Sequence, residues 1–187
     1  MNPRRAVLVL MVIATLALPS LSYAQQGLLA PRSACSGQLG VGNSLKVQRR
    51  AMRCLVNYTR SQHSLSALST SSLLERSSIS KAKDIIRCRD FSHYACGRPL
   101  TYWFQRVGYI TCGCSWVIGE NIAWAGASVW SGFESPRSIM RDWIHSPEHL
   151  RNILDPRWKE QGVAVILGPF EGQRRAAMWV NEFGVRY

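Results

Sequence analysis

Gly162-Val163-Ala164-Val165-Ile166-Leu167 and Ala176-Ala177-Met178-Trp179-Val180-Asn181-Glu182-Phe183 are separated by a loop holding Gly168-Pro169 and Gly172, and their reading decides the fold class. Both runs are dense in apolar residues and bounded by turn formers, the pattern of two strands paired as a hairpin. The chain upstream reads differently. From about Ser44 to Gln62, Val47, Ala51, Met52, Leu55, Val56 and Thr59 recur at three and four residues, which predicts an amphipathic helix with Arg49, Arg50, Arg53 and Arg60 mostly outside. A second helix, capped by Ser71 or Ser72, buries Leu74, Ser78, Ile79, Ala82, Ile85 and Ile86 and turns Lys81, Lys83, Asp84 and Arg87 to water. Leu100, Trp103, Phe104 and Val107 mark a short helix that Gly108 ends. Ser135-Pro136 and Ser146-Pro147 each offer an N-cap followed by proline at the first helical position, and Asp155-Pro156 stops the last helix. Helices first and hairpin strands last predict an α+β domain with an antiparallel sheet packed on helices.

At 187 residues, 47% hydrophobic and 18% charged, the chain is a globular protein of one domain and not a disordered or collagen-like polymer. Arg4 and Arg5, an apolar run from Ala6 to Leu18, Pro19 and the small-residue site Ser22-Tyr23-Ala24 have the form of a secretory signal over residues 1–24. The run is shorter than the ~20 residues of a membrane span, so no transmembrane anchor is expected after cleavage. Residues 25–44 lack a sustained period and read as an extended lead-in, leaving residues 45–187 as the domain. The formal charge is +12, of which the leader arginines supply two. That excess favours anionic partners. No basic stripe interleaved with aromatics and no nucleic-acid module is visible, so a nucleic-acid partner is not expected.

All six cysteines, Cys35, Cys54, Cys88, Cys96, Cys112 and Cys114, follow the leader, and an even count in an exported chain points to disulfides. Cys35 with Cys54 and Cys88 with Cys96 are the favoured pairs, each bracketing a segment that needs pinning. Cys112 with Cys114 would be strained across one residue.

Three polar groups fall where burial or a junction is predicted: His93, Glu120 and His149. A carboxylate inside Trp116-Val-Ile-Gly-Glu-Asn-Ile-Ala-Trp-Ala125 costs several kcal/mol unless it is paired, hydrogen-bonded or protonated. Glu120 therefore needs a partner, and an imidazole can serve while also ligating a divalent metal. His145 and His149 have the i, i+4 spacing of a zinc pair, but Pro147 between them starts a new helix and leaves His145 outside it. The usual nucleophile and phosphate-binding motifs are missing.

Taken in order, Leu55-Val-Asn-Tyr-Thr-Arg60, Phe91-Ser-His93, Gly119-Glu-Asn-Ile-Ala-Trp124, Trp143-Ile-His-Ser-Pro-Glu-His-Leu-Arg-Asn-Ile-Leu154, Gly162-Val-Ala-Val165 and Trp179-Val-Asn-Glu-Phe-Gly184 resemble a bacterial secreted protein of the CAP superfamily, or SCP-like extracellular domain. The resemblance implies an α-β-α sandwich with a central, mainly antiparallel sheet and a cavity lined by two His and two Glu. It assigns His93, Glu120 and His149 to three of those places. Many relatives carry the second Glu three residues after the helix Trp; here that position is Ser146, with Glu148 the nearest replacement.

Three functional readings follow. The leading one is a secreted, monomeric, noncatalytic binding module for a lipid or envelope component, with Zn2+ or another divalent cation held by His93 and His149 and oriented by Glu120, Ser146 and Glu148. A second is a metal-assisted hydrolase of envelope peptides or esters with Glu120 as base. A third is an Arg-rich adhesin for anionic glycans or lipids.

Overall fold

The computed structural model describes residues 27–40, 43–111, 113, 115–126 and 135–187. The leader reading and Cys112 and Cys114 lie outside the described residues.

The elements run α1 (Leu45–Ser61), β1 (Ser69–Thr70), α2 (Ser72–Cys88), a 3-10 turn (Ala95–Gly97), α3 (Thr101–Arg106), β2 (Trp116–Gly126), α4 (Pro136–His145), α5 (Pro147–Ile153), β3 (Glu160–Phe170) and β4 (Gln173–Arg186). Local chemistry sets the helix starts. The hydroxyls of Ser44, Ser71 and Ser135 accept from the backbone N–H groups of Val47, Leu74 and Ser138, satisfying donors that a helix start leaves open. Pro136 and Pro147 take the first helical positions of α4 and α5.

The sheet order is β1-β3-β4-β2, with β1 parallel to β3 and the other pairs antiparallel. The hairpin read from sequence is longer than expected. Its strands extend to a two-residue turn at Glu171-Gly172, both at positive φ, the backbone a tight hairpin turn requires.

Side-chain alternation along β4 divides the core. Ala176, Met178 and Val180 pack with Ala82 and Ile85 of α2 on one face. Ala177, Trp179 and Phe183 pack on the other with Met52, Leu55 and Val56 of α1 and Ile139, Met140 and Trp143 of α4. Two helical layers thus enclose the sheet, the α-β-α sandwich expected. Gly162 is where α2 meets the sheet: a Cβ there would lie 2.2 Å from the Leu74 carbonyl carbon. Only glycine lets the helix backbone come this close.

Two disulfides, Cys35–Cys54 and Cys88–Cys96, match the favoured pairs. The first ties the segment preceding α1 to that helix. The lead-in itself is packed, with Leu28, Ala30, Cys35 and Gln38 buried and the Leu28 carbonyl accepting from the Thr59 hydroxyl.

Three charged residues expected outside are inside. Arg60 is 1% exposed and donates to the carbonyls of Ser66, Ile153 and Asp155, so it clamps the end of α5 to α1. Its burial lowers the guanidinium pKa, partly offset by the charge of Asp155. Asp84 is buried because it accepts from Arg87, Arg98 and the Trp103 indole N–H, an arrangement that fastens the chain after α2 back onto it. Lys81 is the third, and it belongs to the site.

Candidate functional site

The buried face of α2 is rotated one residue from the expected stripe: Leu74, Ser77, Ser78, Lys81, Ala82 and Ile85 point inward. Beneath them runs a row across three strands, because Gly162 pairs with Glu182 and Glu182 pairs with Glu120. Leu74 and Glu75 sit over Gly162, Ser77 over Glu182 and Lys81 over Glu120. The spacing i, i+3 and i+7 of one helix face thus matches one cross-strand ladder.

Glu120 is the acid that the sequence places in apolar surroundings, and its side chain is 1% exposed. Its Oε1 accepts from the His93 Nδ1–H at 2.7 Å and lies 3.8 Å from the Lys81 ammonium. Lys81 also donates to the His93 backbone carbonyl, so one cation holds both the acid and the loop that brings the imidazole. The Cys88–Cys96 bridge closes this loop, since it spans the residues on either side of His93.

Glu182, directly opposite Glu120, was missed in the sequence together with Lys81 and Ser77. It stands in the alternation Ala176, Met178, Val180, Glu182, an otherwise apolar row that a period of two would have exposed. Its Oε1 accepts from the Ser77 hydroxyl at 3.0 Å. Burial first, and the Glu120 charge second, raise its pKa well above the usual carboxyl value. Among the described residues, Glu120 Oε2 and Glu182 Oε2 have no hydrogen-bond partner with any other group. Two carboxyls side by side with one ammonium match a single negative charge.

His149 reaches the same strand from the opposite layer. Asn121, one residue beyond Glu120 and so on the other face, donates to the His149 backbone carbonyl and accepts from Asn152 Nδ2. Gly119 leaves room for Asn152 and Trp158, either of which a Cβ would strike. Gly119-Glu120-Asn121 therefore sends its acid toward α2 and seats α5 with the residues on either side. The His149 ring stacks on Trp143, with centroids 6.4 Å apart, and its Nδ1 pairs with the Ser146 hydroxyl at 2.7 Å. Ser146 occupies the cap position of α5, but its side chain makes no cap bond and holds the imidazole instead.

The His149 pKa is lowered by burial and by repulsion from His93, partly offset by Glu148 and the Ile122 carbonyl. The two rings are carried by opposite layers of the sheet, His93 through Glu120 on the α2 side and His149 beside Asn121 on the α5 side. Glu148 is exposed and has no hydrogen bond or ion pair among the described residues, so it acts on His149 only through its charge. His145 is exposed and donates to the Arg141 carbonyl, apart from the pair. The described residues contain no group of three or more His, Cys, Asp or Glu arranged to hold a metal ion.

Solved structures with this fold include an extracellular protein containing an SCP domain from Bacillus anthracis, 19% identical, with a TM-score of 0.55 over 75% of this chain and 43% of that one. An outer surface protein from Borrelia burgdorferi is 15% identical with a TM-score of 0.61 over 78% and 97%. A cysteine-rich secretory protein from Staphylococcus aureus is 16% identical with a TM-score of 0.54 over 76% and 39%. The chain thus spans under half of the Bacillus and Staphylococcus proteins. No curated protein sequence matches it. The model of the cysteine-rich secretory protein family matches residues 54–183, more than half of the chain and all the elements that build the site. The chain belongs to the cysteine-rich secretory protein, or CAP, family.

Proposed function

We propose that this CAP domain is an extracellular, noncatalytic binding module whose imidazole pair, His93 and His149, takes a divalent cation weakly at the edge of β2. The observation that carries this reading is that both rings are held by Nδ1, His93 by Glu120 and His149 by Ser146. Nε2 of His93 is then left for a ligand, while the His149 ring also lies against the Ile122 carbonyl, which a cation would displace; outer partners of this kind fix ring orientation at metal sites. Two nitrogen donors, with no third His, Cys, Asp or Glu grouped with them among the described residues, suit a weak site completed by water, not the four-ligand set of structural zinc.

The same geometry disfavours the hydrolase. A general base must reach the water it deprotonates, and Glu120 is buried with Oε1 already engaged by His93 and Lys81. The Glu120 carboxylate serves as a fixed anchor for His93. Two disulfides favour an oxidising compartment, and the fold is shared with proteins described as extracellular or outer-surface. Among the described residues no helix is long and apolar enough to cross a membrane. A lipid or anionic envelope component is the proposed partner, on the strength of the net positive charge, +12 for the whole chain with two of these from the leader arginines.

Zinc titration by calorimetry tests the cation site. Wild-type protein should release binding heat that the His93→Ala, His149→Ala double variant lacks. Equal heats from both would remove the imidazole pair as the site.

A further inference from the structure

Away from the histidine pair, a cleft of about 410 Å³ opens between the end of α2 and the β3–β4 turn. Arg89 lines it from α2, and Phe170, Glu171, Gln173 and Arg174 from the hairpin. Phe170 is 2% exposed and lies edge-on to Trp124 and to Phe91, with ring centroids 5.3 and 6.4 Å away. The aromatic wall is therefore rigid, while Arg89 and Arg174 are exposed and make no ion pair among the described residues.

The backbone fixes where the charged lining residues stand. Of the four non-glycine residues at positive φ among the described residues, two line this cleft, Arg89 at φ 53° and Glu171 at φ 46°. Arg89 ends α2 in the left-handed conformation, its N–H returning to the Ile85 and Ile86 carbonyls. Glycine fills that helix-ending position at the lowest steric cost, and an arginine there strains the fold. A strained side chain at the mouth of a cleft points to a use for that side chain.

We propose that the cleft binds a small organic oxyanion, a phosphodiester or a carboxylate on an apolar skeleton, gripped by Arg89 and Arg174. Guanidinium groups present paired donors that match such oxyanions, and the exposed Pro169, backed by the buried Phe170, supplies an apolar surface for the carbon skeleton. The two arginines exceed Glu171 by one charge, which one anionic group neutralises. The Gln173 amide adds a neutral hydrogen-bonding group beside it. The size is that of a small-ligand site. This site is separate from the histidine pair and does not depend on it.

The probes are benzoate, a soluble glycerophosphodiester, and vesicles of phosphatidylglycerol set against phosphatidylcholine. Amide shifts in NMR should map soluble probes to Arg89, Phe170 and Gln173. Arg89→Gly and Arg174→Gln should each weaken binding at least tenfold, and Arg89→Gly should raise the melting temperature because it relieves the left-handed strain. His93→Ala with His149→Ala should leave this affinity unchanged. Binding of phosphatidylglycerol vesicles without the soluble probes supports the site and assigns its ligand to lipid; binding of the soluble probes without vesicles assigns it to a free ligand. No binding of any probe, unchanged affinity in Arg89→Gly, a lower melting temperature in that variant, or loss of affinity in the histidine variant overturns the proposal.

Discussion

Lys81→Met removes the only ammonium facing two buried carboxyl groups among the described residues, and its cost can be worked from the geometry. Nζ lies 3.8 Å from Glu120 Oε1, and the two side chains are 5% and 1% exposed. Coulomb's law at that separation with an effective dielectric near 20 gives about 4 kcal/mol. Breaking a buried pair by removing one partner typically costs about 3–5 kcal/mol, in agreement. Methionine keeps most of the volume, so the loss reports charge and hydrogen bonding more than packing. Urea unfolding at neutral pH should show Lys81→Met destabilised by about 4 kcal/mol. The double variant with Glu120→Gln should recover most of this, because the unpaired charge is gone. A loss below about 1 kcal/mol, or additive effects in the two single variants, would refute the reasoning, since neither fits a buried charge pair.

Glu182→Gln should change how stability depends on pH. The folded protein keeps the Glu182 proton, by burial and by the Glu120 charge, at pH values where the unfolded chain has released it. Its contribution therefore falls as pH rises above the unfolded value of about 4.3 and levels off only above the folded pKa. The variant lacks this slope and should gain on wild type from about pH 4 upward; a flat difference in unfolding free energy would contradict the assignment. Gly162→Ala should cost about 3 kcal/mol or more, because the new methyl meets the α2 backbone and not a movable side chain; a loss under about 1 kcal/mol in thermal unfolding would count against that contact. Replacing the Cys88–Cys96 pair by serines should destabilise by about 2.5 kcal/mol, and the Cys35–Cys54 pair by about 3.2, from their sequence separations of 8 and 19. The first variant should also loosen the His93 loop, read as faster amide exchange at residues 91–95 with α1 unchanged.

The fold was legible because its signals are local. Serine caps, Pro136 and Pro147 mark helix starts whatever the rest of the chain does, and the hairpin strands carry dense apolar runs. Both favoured disulfides follow from segments that need pinning. The acid at position 120 was legible for a related reason, since a carboxylate in an apolar run demands a partner. Its other partners were not. Lys81 reads as a solvent residue when the helix stripe is set by the large apolar residues Ile79 and Ile86, which are only half-buried. The face is in fact chosen by small residues, Ser77 and Ser78, that let α2 approach the sheet at Gly162. Helix periodicity locates a face to within one residue, and a one-residue rotation is enough to turn a lysine inward. Arg60 was misplaced because three carbonyls from distant segments receive it, and such partners leave no trace in spacing.

Ring 15N and 1H shifts of the four histidines during zinc titration test the central claim most directly, because His63 and His145 are exposed internal controls. Saturable changes confined to His93 and His149, abolished in the double alanine variant, are the predicted result. Equal responses at all four rings, or none at His93 and His149, would contradict the account of the edge of β2 as a cation-binding site.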